Sequence, residues 1–230
     1  MAKKSDGNFG NKKSFLSFVP ILKIMEIQER IAVKAHDLFL KYGIRSVSMD
    51  EIATQLGISK KTIYQFYADK DALVDSVIDI VVNENAAECC MQKERSENPV
   101  HEIFVAMDMV REMLRTMNPT IVYDLEKYHP AAHKKLNDHK NKFLYKQITE
   151  NLEKGMAMQL YRPDINVEVI ARFRLASVFL LFSPDIFPSG RHNLSTVMEE
   201  VTIHFLYGIT TPKGQKLIQK YQQQRQKDHI

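Results

Sequence analysis

The segment from Ser48 to Lys70, SMDEIATQLGISKKTIYQFYADK, constrains the fold of this chain more than any other segment. A Ser-x-x-Glu capping box at Ser48–Glu51 starts one helix, and Gly57 supplies the permissive backbone that ends it. Ser59 then caps a second short helix, and Asp69 caps the helix that follows. Two short helices joined by a tight glycine turn are typical of a helix-turn-helix.

The second helix of this pair has the surface that entry into a DNA groove requires. Ile63 and Tyr67, four positions apart, are expected on the side of this helix that faces the core. No acidic residue lies between Glu51 and Asp69. Major-groove reading needs a short helix whose outer side is polar and cationic. The residues that we predict to contact DNA are Ser48, Lys60, Lys61, Thr62, Tyr64, Gln65, Phe66 and Lys70.

The predicted contacts differ in chemistry. Gln65 is the residue best able to make paired hydrogen bonds with adenine, while Thr62 or Phe66 could meet a thymine methyl group. Tyr64 and Lys70 suit backbone phosphates, and the two lysines of the first turn lie where the helix dipole favours a phosphate. The alternative for each side chain is a solvated helix surface, since exposed lysines are common.

Apolar residues recur at helical spacing along the chain, and no alternating segment is long enough to need a sheet. The predicted fold class is therefore all-α, with a three-helix N-terminal domain and a larger helical domain behind it. The two ends of the chain are predicted to be solvated, partly disordered tails. The boundaries are a basic tail at 1–23, the helix-turn-helix domain at 24–70, the larger domain at 71–212 and a basic Gln/Lys-rich tail at 213–230.

Charge is unevenly distributed along the chain. The total is +4, and the ends at 1–24 and 213–230 each net +4, so the body between them is acidic. An acidic body does not coat nucleic acid indiscriminately, and any DNA contact must therefore be local. No apolar run approaches ~20 residues. We expect no membrane partner and a cytoplasmic location.

Cysteine and histidine do not predict a metal or redox site. The adjacent Cys89 and Cys90 fit no usual disulfide or zinc site, so reduced thiols are expected, with a vicinal redox sensor as the alternative. His129 and His133 are four apart, but a proline follows the first, and His139 lies well round the helix from His133. Surface histidines are the favoured interpretation, and no metal or cofactor is predicted.

Residues 31–78, IAVKAHDLFLKYGIRSVSMDEIATQLGISKKTIYQFYADKDALVDSVI, resemble the N-terminal DNA-binding domain of the TetR family of bacterial transcriptional regulators. The features that carry the resemblance are Ala35, Leu38-Phe39 and Gly43, then Ser48-Met49 with Ile52-Ala53, the Leu56-Gly57-Ile58-Ser59 turn, Tyr64, and Lys70 with Leu73. Lys61 stands where a glycine is frequent, and Tyr67 where a phenylalanine usually closes the core. Base preference should therefore not be copied from a relative.

The resemblance implies a homodimer with an effector site in its C-terminal domain. The helices near 166–182 and 194–208 would form the dimer interface, or else they merely complete the core of the monomer. A small apolar or amphipathic effector would meet soft and phenolic side chains, for which plain core is the alternative. The pocket residues predicted are Met107, Met109, Met113, Met117, Tyr123, Phe143, Tyr145 and Met158.

Three classes of function are open. The first is a ligand-responsive repressor, which holds double-stranded operator DNA until a small molecule changes the spacing of its two reader helices. The second is an architectural or activating DNA-binding protein without an effector. The third is an enzyme, and it is the least favoured because the sequence has no nucleophile motif and no glycine-rich phosphate loop.

Overall fold

A computed structural model of the protein describes residues 26–118, 120–183, 186–188 and 191–228. The tail predicted at 1–23 lies outside the described residues. Within the described ranges the secondary structure is helical apart from one isolated β-bridge, between Tyr161 and Thr210. The predicted all-α fold class is confirmed.

The chain runs through eleven α-helices in the part that the structure describes. The N-terminal helices are α1 (Ile27–Tyr42), α2 (Met49–Leu56), α3 (Lys60–Phe66) and α4 (Lys70–Arg95). Those that follow are α5 (Pro99–Thr116), α6 (Thr120–Tyr128), α7 (Pro130–Asp138), α8 (Tyr145–Ala157), α9 (Val167–Phe179), α10 (Leu194–Ile209) and α11 (Pro212–Asp228). A π-helical segment (His139–Leu144) joins α7 to α8, and a 3-10 turn (Leu180–Phe182) extends α9.

The helix boundaries around the helix-turn-helix follow the predicted caps. The side-chain oxygens of Ser48, Ser59 and Asp69 each accept a hydrogen bond from the backbone amide three residues later, at 2.8–3.1 Å. These bonds satisfy amides that would otherwise lack a partner in the first turn. Gly57 ends α2 with φ of +67°, a conformation that other residues rarely adopt.

The apolar core of the N-terminal part does not end at the boundary predicted at residue 70. Side chains of α1–α3 share one cluster with Leu73 and Val77 of α4, Ile121 and Leu125 of α6, and Ala132 of α7. The domain boundary at residue 70 stays a prediction, but the core crosses it. Because a three-helix unit of this length buries only a limited share of its own apolar surface, residues from outside it complete the core.

The tail predicted at 213–230 is wrong for the described residues of that segment. Pro212–Asp228 form α11, in which Ile218 and Tyr221 are buried against the core of the C-terminal part. The Tyr221 hydroxyl donates to Glu97 Oε2 at 2.9 Å and accepts from Asn98 Nδ2 at 2.7 Å. A short apolar stripe packs this helix against the core. The many Lys and Gln residues around the stripe conceal it when the segment is judged by composition.

Candidate nucleic-acid interface

Helix α3 holds six of the predicted DNA-contacting residues together on one short element. Its Ile63 is fully buried, whereas Tyr64, Gln65 and Phe66 are exposed. Tyr64 retains 44% and Phe66 38% of their accessible surface. Large aromatic side chains left in solvent beside polar ones form a surface suited to a partner molecule.

Tyr67 anchors the end of α3 to the rest of the N-terminal part. Its ring is buried, its hydroxyl donates to the Gln28 carbonyl of α1 at 3.1 Å, and the same hydroxyl lies 3.3 Å from Ser76 Oγ of α4. A phenylalanine in this place could make neither contact. Tyrosine in place of the usual phenylalanine therefore adds polar contacts that hold α3 against α1 and α4.

The first turn of α3 carries exposed cations. Lys60 Nζ donates to Asp50 Oδ2 of α2 at 2.8 Å, and this hydrogen bond raises the pKa of Lys60. Exposed pairs of this kind contribute little to stability, so a phosphate can replace the carboxylate at small cost. Lys61 is exposed and has no ion pair among the described residues. Thr62 Oγ1 lies 2.8 Å from Ser59 Oγ, which leaves its methyl group as the contact surface.

Lys70 makes contacts inside the N-terminal part that the sequence did not suggest. Its half-buried ammonium donates to the carbonyls of Ile44 and Val47, both at 2.6 Å, and lies 5.9 Å from the centre of the Phe39 ring. Burial lowers the pKa of Lys70. Two of its three donors hold the loop between α1 and α2, which indicates a positioning role, and the phosphate contact stays a prediction.

We expect Lys70→Met to destabilise the fold and Lys61→Met to leave it unchanged. Loss of two charge-assisted hydrogen bonds should lower the free energy of unfolding by about 2 kcal/mol, which urea denaturation measures. Lys61→Met should instead reduce the slope of log affinity for DNA against log salt, by roughly 0.9 for each copy of the lysine. If Lys70→Met reduced the salt slope and kept full stability, Lys70 would be a phosphate contact after all.

Helix α6 holds the loop that precedes α2. The Arg45 amide donates to the buried Asp124 carboxylate at 3.2 Å, and Arg45 Nη1 donates to the Tyr128 hydroxyl at 3.3 Å. A further bond joins the Asn118 amide to the Leu40 carbonyl at 2.7 Å. Sequence reasoning missed these residues, because hydrogen bonds between residues 79 and 83 positions apart leave no local pattern. They connect the helix-turn-helix to the part of the chain that follows it.

The residues predicted for an effector pocket do not converge. Met107 lies in the core of the C-terminal part, whereas Met117 packs against the N-terminal core. Met113, Tyr123 and Met158 are exposed, and Met109, Phe143 and Tyr145 are half-buried. Helical spacing alone does not specify which core a side chain joins, and one shared pocket for these eight residues stays a prediction.

The two most pronounced cavities among the described residues lie elsewhere. The larger, about 320 Å³, is lined by Arg111, Glu199, Gln222, Arg225 and Gln226. The smaller, about 120 Å³, is lined by Asp71, His129, Pro130, Ala131 and Ala132. Neither contains a residue of the predicted effector pocket, and the larger is polar where an apolar site was expected.

The three histidines considered for a metal have separate partners. Nδ1 of His129 lies 2.6 Å from Asp71 Oδ1, Nε2 of His133 lies 3.1 Å from Asn137 Nδ2, and Nε2 of His139 lies 2.8 Å from Asn85 Oδ1. The described ranges contain no group of three or more side chains placed to hold a metal ion. No helix in those ranges has the length and apolar character to cross a bilayer.

Comparison with known proteins agrees with this geometry. Residues 31–77 match the family model described as bacterial regulatory proteins, tetR family. An uncharacterized HTH-type transcriptional regulator, YvaF of Bacillus subtilis, is 23% identical over 187 residues, which cover 80% of this chain and 96% of that protein. An HTH-type transcriptional regulator of Staphylococcus aureus is 42% identical over 53 residues, which cover 23% of this chain and 29% of that protein.

Solved structures show the same fold. A TetR-family transcriptional regulator from Agrobacterium tumefaciens superposes with a TM-score of 0.67 at 16% identity, covering 80% of this chain and 97% of that one. A transcriptional regulator from Saccharomonospora viridis, in complex with choline, superposes with a TM-score of 0.63 at 15% identity and the same coverage. Residues 31–77 therefore match the helix-turn-helix domain of the TetR family, and most of the chain is similar in sequence or in fold to helix-turn-helix transcriptional regulators.

Proposed function

We propose that this regulator is a homodimeric repressor that a small molecule releases from its operator. The observation that carries the proposal is an exposed apolar stripe along α9 and the turn that follows it. Val169 and Phe173 retain 58% and 56% of their accessible surface. The exposed Ala176 follows three positions after Phe173, and Leu180, in the turn after α9, follows four positions after Ala176. Monomeric proteins rarely leave such a contiguous apolar surface in water.

Helix α10 offers a matching surface beside α9. Tyr207 is exposed, and a Cβ atom added at Gly208 would meet no other atom within 4 Å. An exposed aromatic next to a residue without a side chain suits close approach by a second helix. Two copies of α9 and α10, related by a twofold axis, would bury these surfaces as a four-helix interface.

A dimer also suits the chemistry of α3. One seven-residue helix offers only a few base contacts, and major-groove readers reach high specificity as pairs on half-sites about 34–36 Å apart. In this proposal Gln65, Thr62 and Phe66 meet base edges, while Ser48, Lys60, Lys61 and Tyr64 meet phosphates. Lys70 keeps the loop before α2 in place.

Release by an effector requires that ligand binding in the C-terminal part changes the position of α3, the helix proposed to read DNA. The bonds from Arg45 to α6 and the core shared by α1–α4 with α6 and α7 supply a physical connection. A related regulator of known structure binds choline, which supports a small-molecule site in this fold. Ligand binding could therefore bias the arrangement of the two readers.

The test is operator binding by the purified full-length protein. Fluorescence anisotropy with DNA from upstream of its own gene, at several salt concentrations, should show tight binding that competitor DNA does not abolish. Sedimentation in the same buffer should give a dimer, and a metabolite that raises the melting temperature should lower operator affinity. Weak binding that vanishes with salt and ignores sequence would contradict the proposal.

Repression and release by an effector are tested separately from DNA binding. If every stabilising metabolite left operator affinity unchanged, the effector-independent DNA-binding protein would be the better description. A reporter gene placed behind the operator decides the direction of regulation. Increased expression in the presence of the protein would identify an activator.

A further inference from the structure

Arg174 lies in the middle of the buried face of α9 and keeps only 8% of its accessible surface. Its Nη2 donates to Thr202 Oγ1 of α10 at 3.2 Å, and its guanidinium carbon lies 5.0 Å from the centre of the Phe205 ring. Both contacts are with uncharged groups. The side chain therefore brings a full positive charge into the contact between α9 and α10.

No carboxylate among the described residues pairs with Arg174. Two other arginines show the usual arrangement: Arg172 pairs with Glu168 at 3.1 Å, and Arg225 pairs with Asp108 at 2.6 Å. A guanidinium has five N–H donors, and a buried charge without a counter-charge costs several kcal/mol. Burial lowers the pKa of Arg174 to about 10.

Other polar groups lie in the same interior. The buried Tyr161 hydroxyl donates to Asn151 Oδ1 at 3.0 Å, and Asn151 Nδ2 donates to the Pro99 carbonyl at 3.0 Å. Glu102 Oε2 is buried without a hydrogen-bond partner. Burial raises the pKa of Tyr161, Glu102 raises it further, and Arg174 lowers it. The C-terminal core thus holds polar groups whose bonding capacity is not used.

We propose that Arg174 binds the anionic head of the effector, and that the effector is a small carboxylate with an apolar body. The inference rests on the proposed function and specifies the ligand class. The planar fork of a guanidinium matches a carboxylate with two parallel hydrogen bonds. The apolar body would lie among the side chains that form the core around Arg174, including Phe205, Leu206 and Ala171.

Entry of such a ligand has a structural consequence. Arg174 is only 8% exposed in the contact between α9 and α10, so in this proposal a carboxylate reaches it when the two helices separate or shift. These are the helices of the proposed dimer interface. Ligand binding at Arg174 would therefore change the geometry of the interface, and with it the spacing of the reader helices.

The positive charge of Arg174 also predicts which ligands should not bind at this site. An unpaired buried cation repels a quaternary ammonium, so choline, the ligand of one structural relative, should not bind here. An alcohol of the same chain length lacks the charge that the guanidinium needs. Carboxylate, alcohol and ammonium probes therefore separate charge recognition from simple apolar binding.

The experiment compares wild type with Arg174→Met and Arg174→Lys by thermal unfolding and operator anisotropy. The probes are sodium butanoate, octanoate and benzoate, with octan-1-ol and choline as controls. At least one carboxylate should raise the wild-type melting temperature and weaken operator binding tenfold or more. Arg174→Met should lose that response without a lower melting temperature of its own, since it removes an unpaired charge.

Arg174→Lys keeps the positive charge but loses the planar guanidinium that donates two parallel hydrogen bonds. The carboxylate should therefore change the melting temperature and operator affinity of this variant at least threefold less than those of wild type. If Arg174→Met does not fold, this variant alone decides the question. The inference is overturned if no carboxylate stabilises wild type, or if both variants respond as wild type does. Operator release by choline or octanol in all three proteins would overturn the carboxylate assignment and keep the ligand-responsive repressor.

Discussion

We expect Phe173→Glu to convert the protein to a monomer and to weaken operator binding by at least about 100-fold. The side chain is 56% exposed on α9 and would be buried in the proposed interface. A twofold interface contains each substitution twice, so two carboxylates would have to be desolvated. A monomer also loses the gain from binding two half-sites at once, which is on the order of 10²–10⁴. Sedimentation velocity and anisotropy measure the two effects.

Met91→Glu is the matched control for this prediction. Met91 is 40% exposed, but it lies on α4 and not on the proposed interface. This variant should remain a dimer and bind the operator as wild type does. Because Phe173 and Met91 are both on the surface, neither substitution should unfold the protein. A dimeric Phe173→Glu protein with wild-type affinity would place the interface elsewhere.

The second large effect is expected for Gln65→Ala, which should lose base discrimination at one position of each half-site. A paired amide–adenine contact contributes about 1–3 kcal/mol of discrimination, or roughly 5- to 160-fold in relative affinity. Anisotropy against operators changed one base pair at a time measures it. The native operator should bind the variant more weakly, and the altered one nearly as well as before.

Tyr64→Ala gives the comparison that makes the result specific. Tyr64 and Gln65 are adjacent and exposed, so both variants should keep the stability of wild type. A phosphate contact does not read sequence, and Tyr64→Ala should therefore weaken all operators by a similar factor. If Gln65→Ala discriminated as sharply as wild type, the base-reading role would belong to another residue of α3.

Local signals in the sequence predicted the helix-turn-helix well. Ser48, Ser59 and Asp69 form the expected caps, and Gly57 has the left-handed conformation expected at the end of α2. Each of these features depends on groups within three or four residues of one another. Such interactions are encoded by spacing alone, so they can be derived without knowledge of the rest of the molecule.

The same reasoning failed where a side chain has two chemically reasonable partners. Lys70 could meet a phosphate or backbone carbonyls, and only the folded loop at Ile44 and Val47 decides for the carbonyls. Met107 lies on α5 and Met117 directly after its last residue, yet the two side chains join different cores. Periodicity defines a buried face, but it does not say which neighbouring element covers that face.

The sequence by itself determined the all-α class, the helix-turn-helix with its caps, and the exposed polar surface of α3, because these follow from contacts within a few turns of helix. Tertiary structure alone decided that α6 and α7 complete the N-terminal core, that α11 is a packed helix, and that Arg174 is buried with no acidic partner in the part of the chain that the structure describes. Those outcomes depend on which distant surfaces meet. Burial and pairing of charge are properties of that assembly, and no spacing along the chain encodes them.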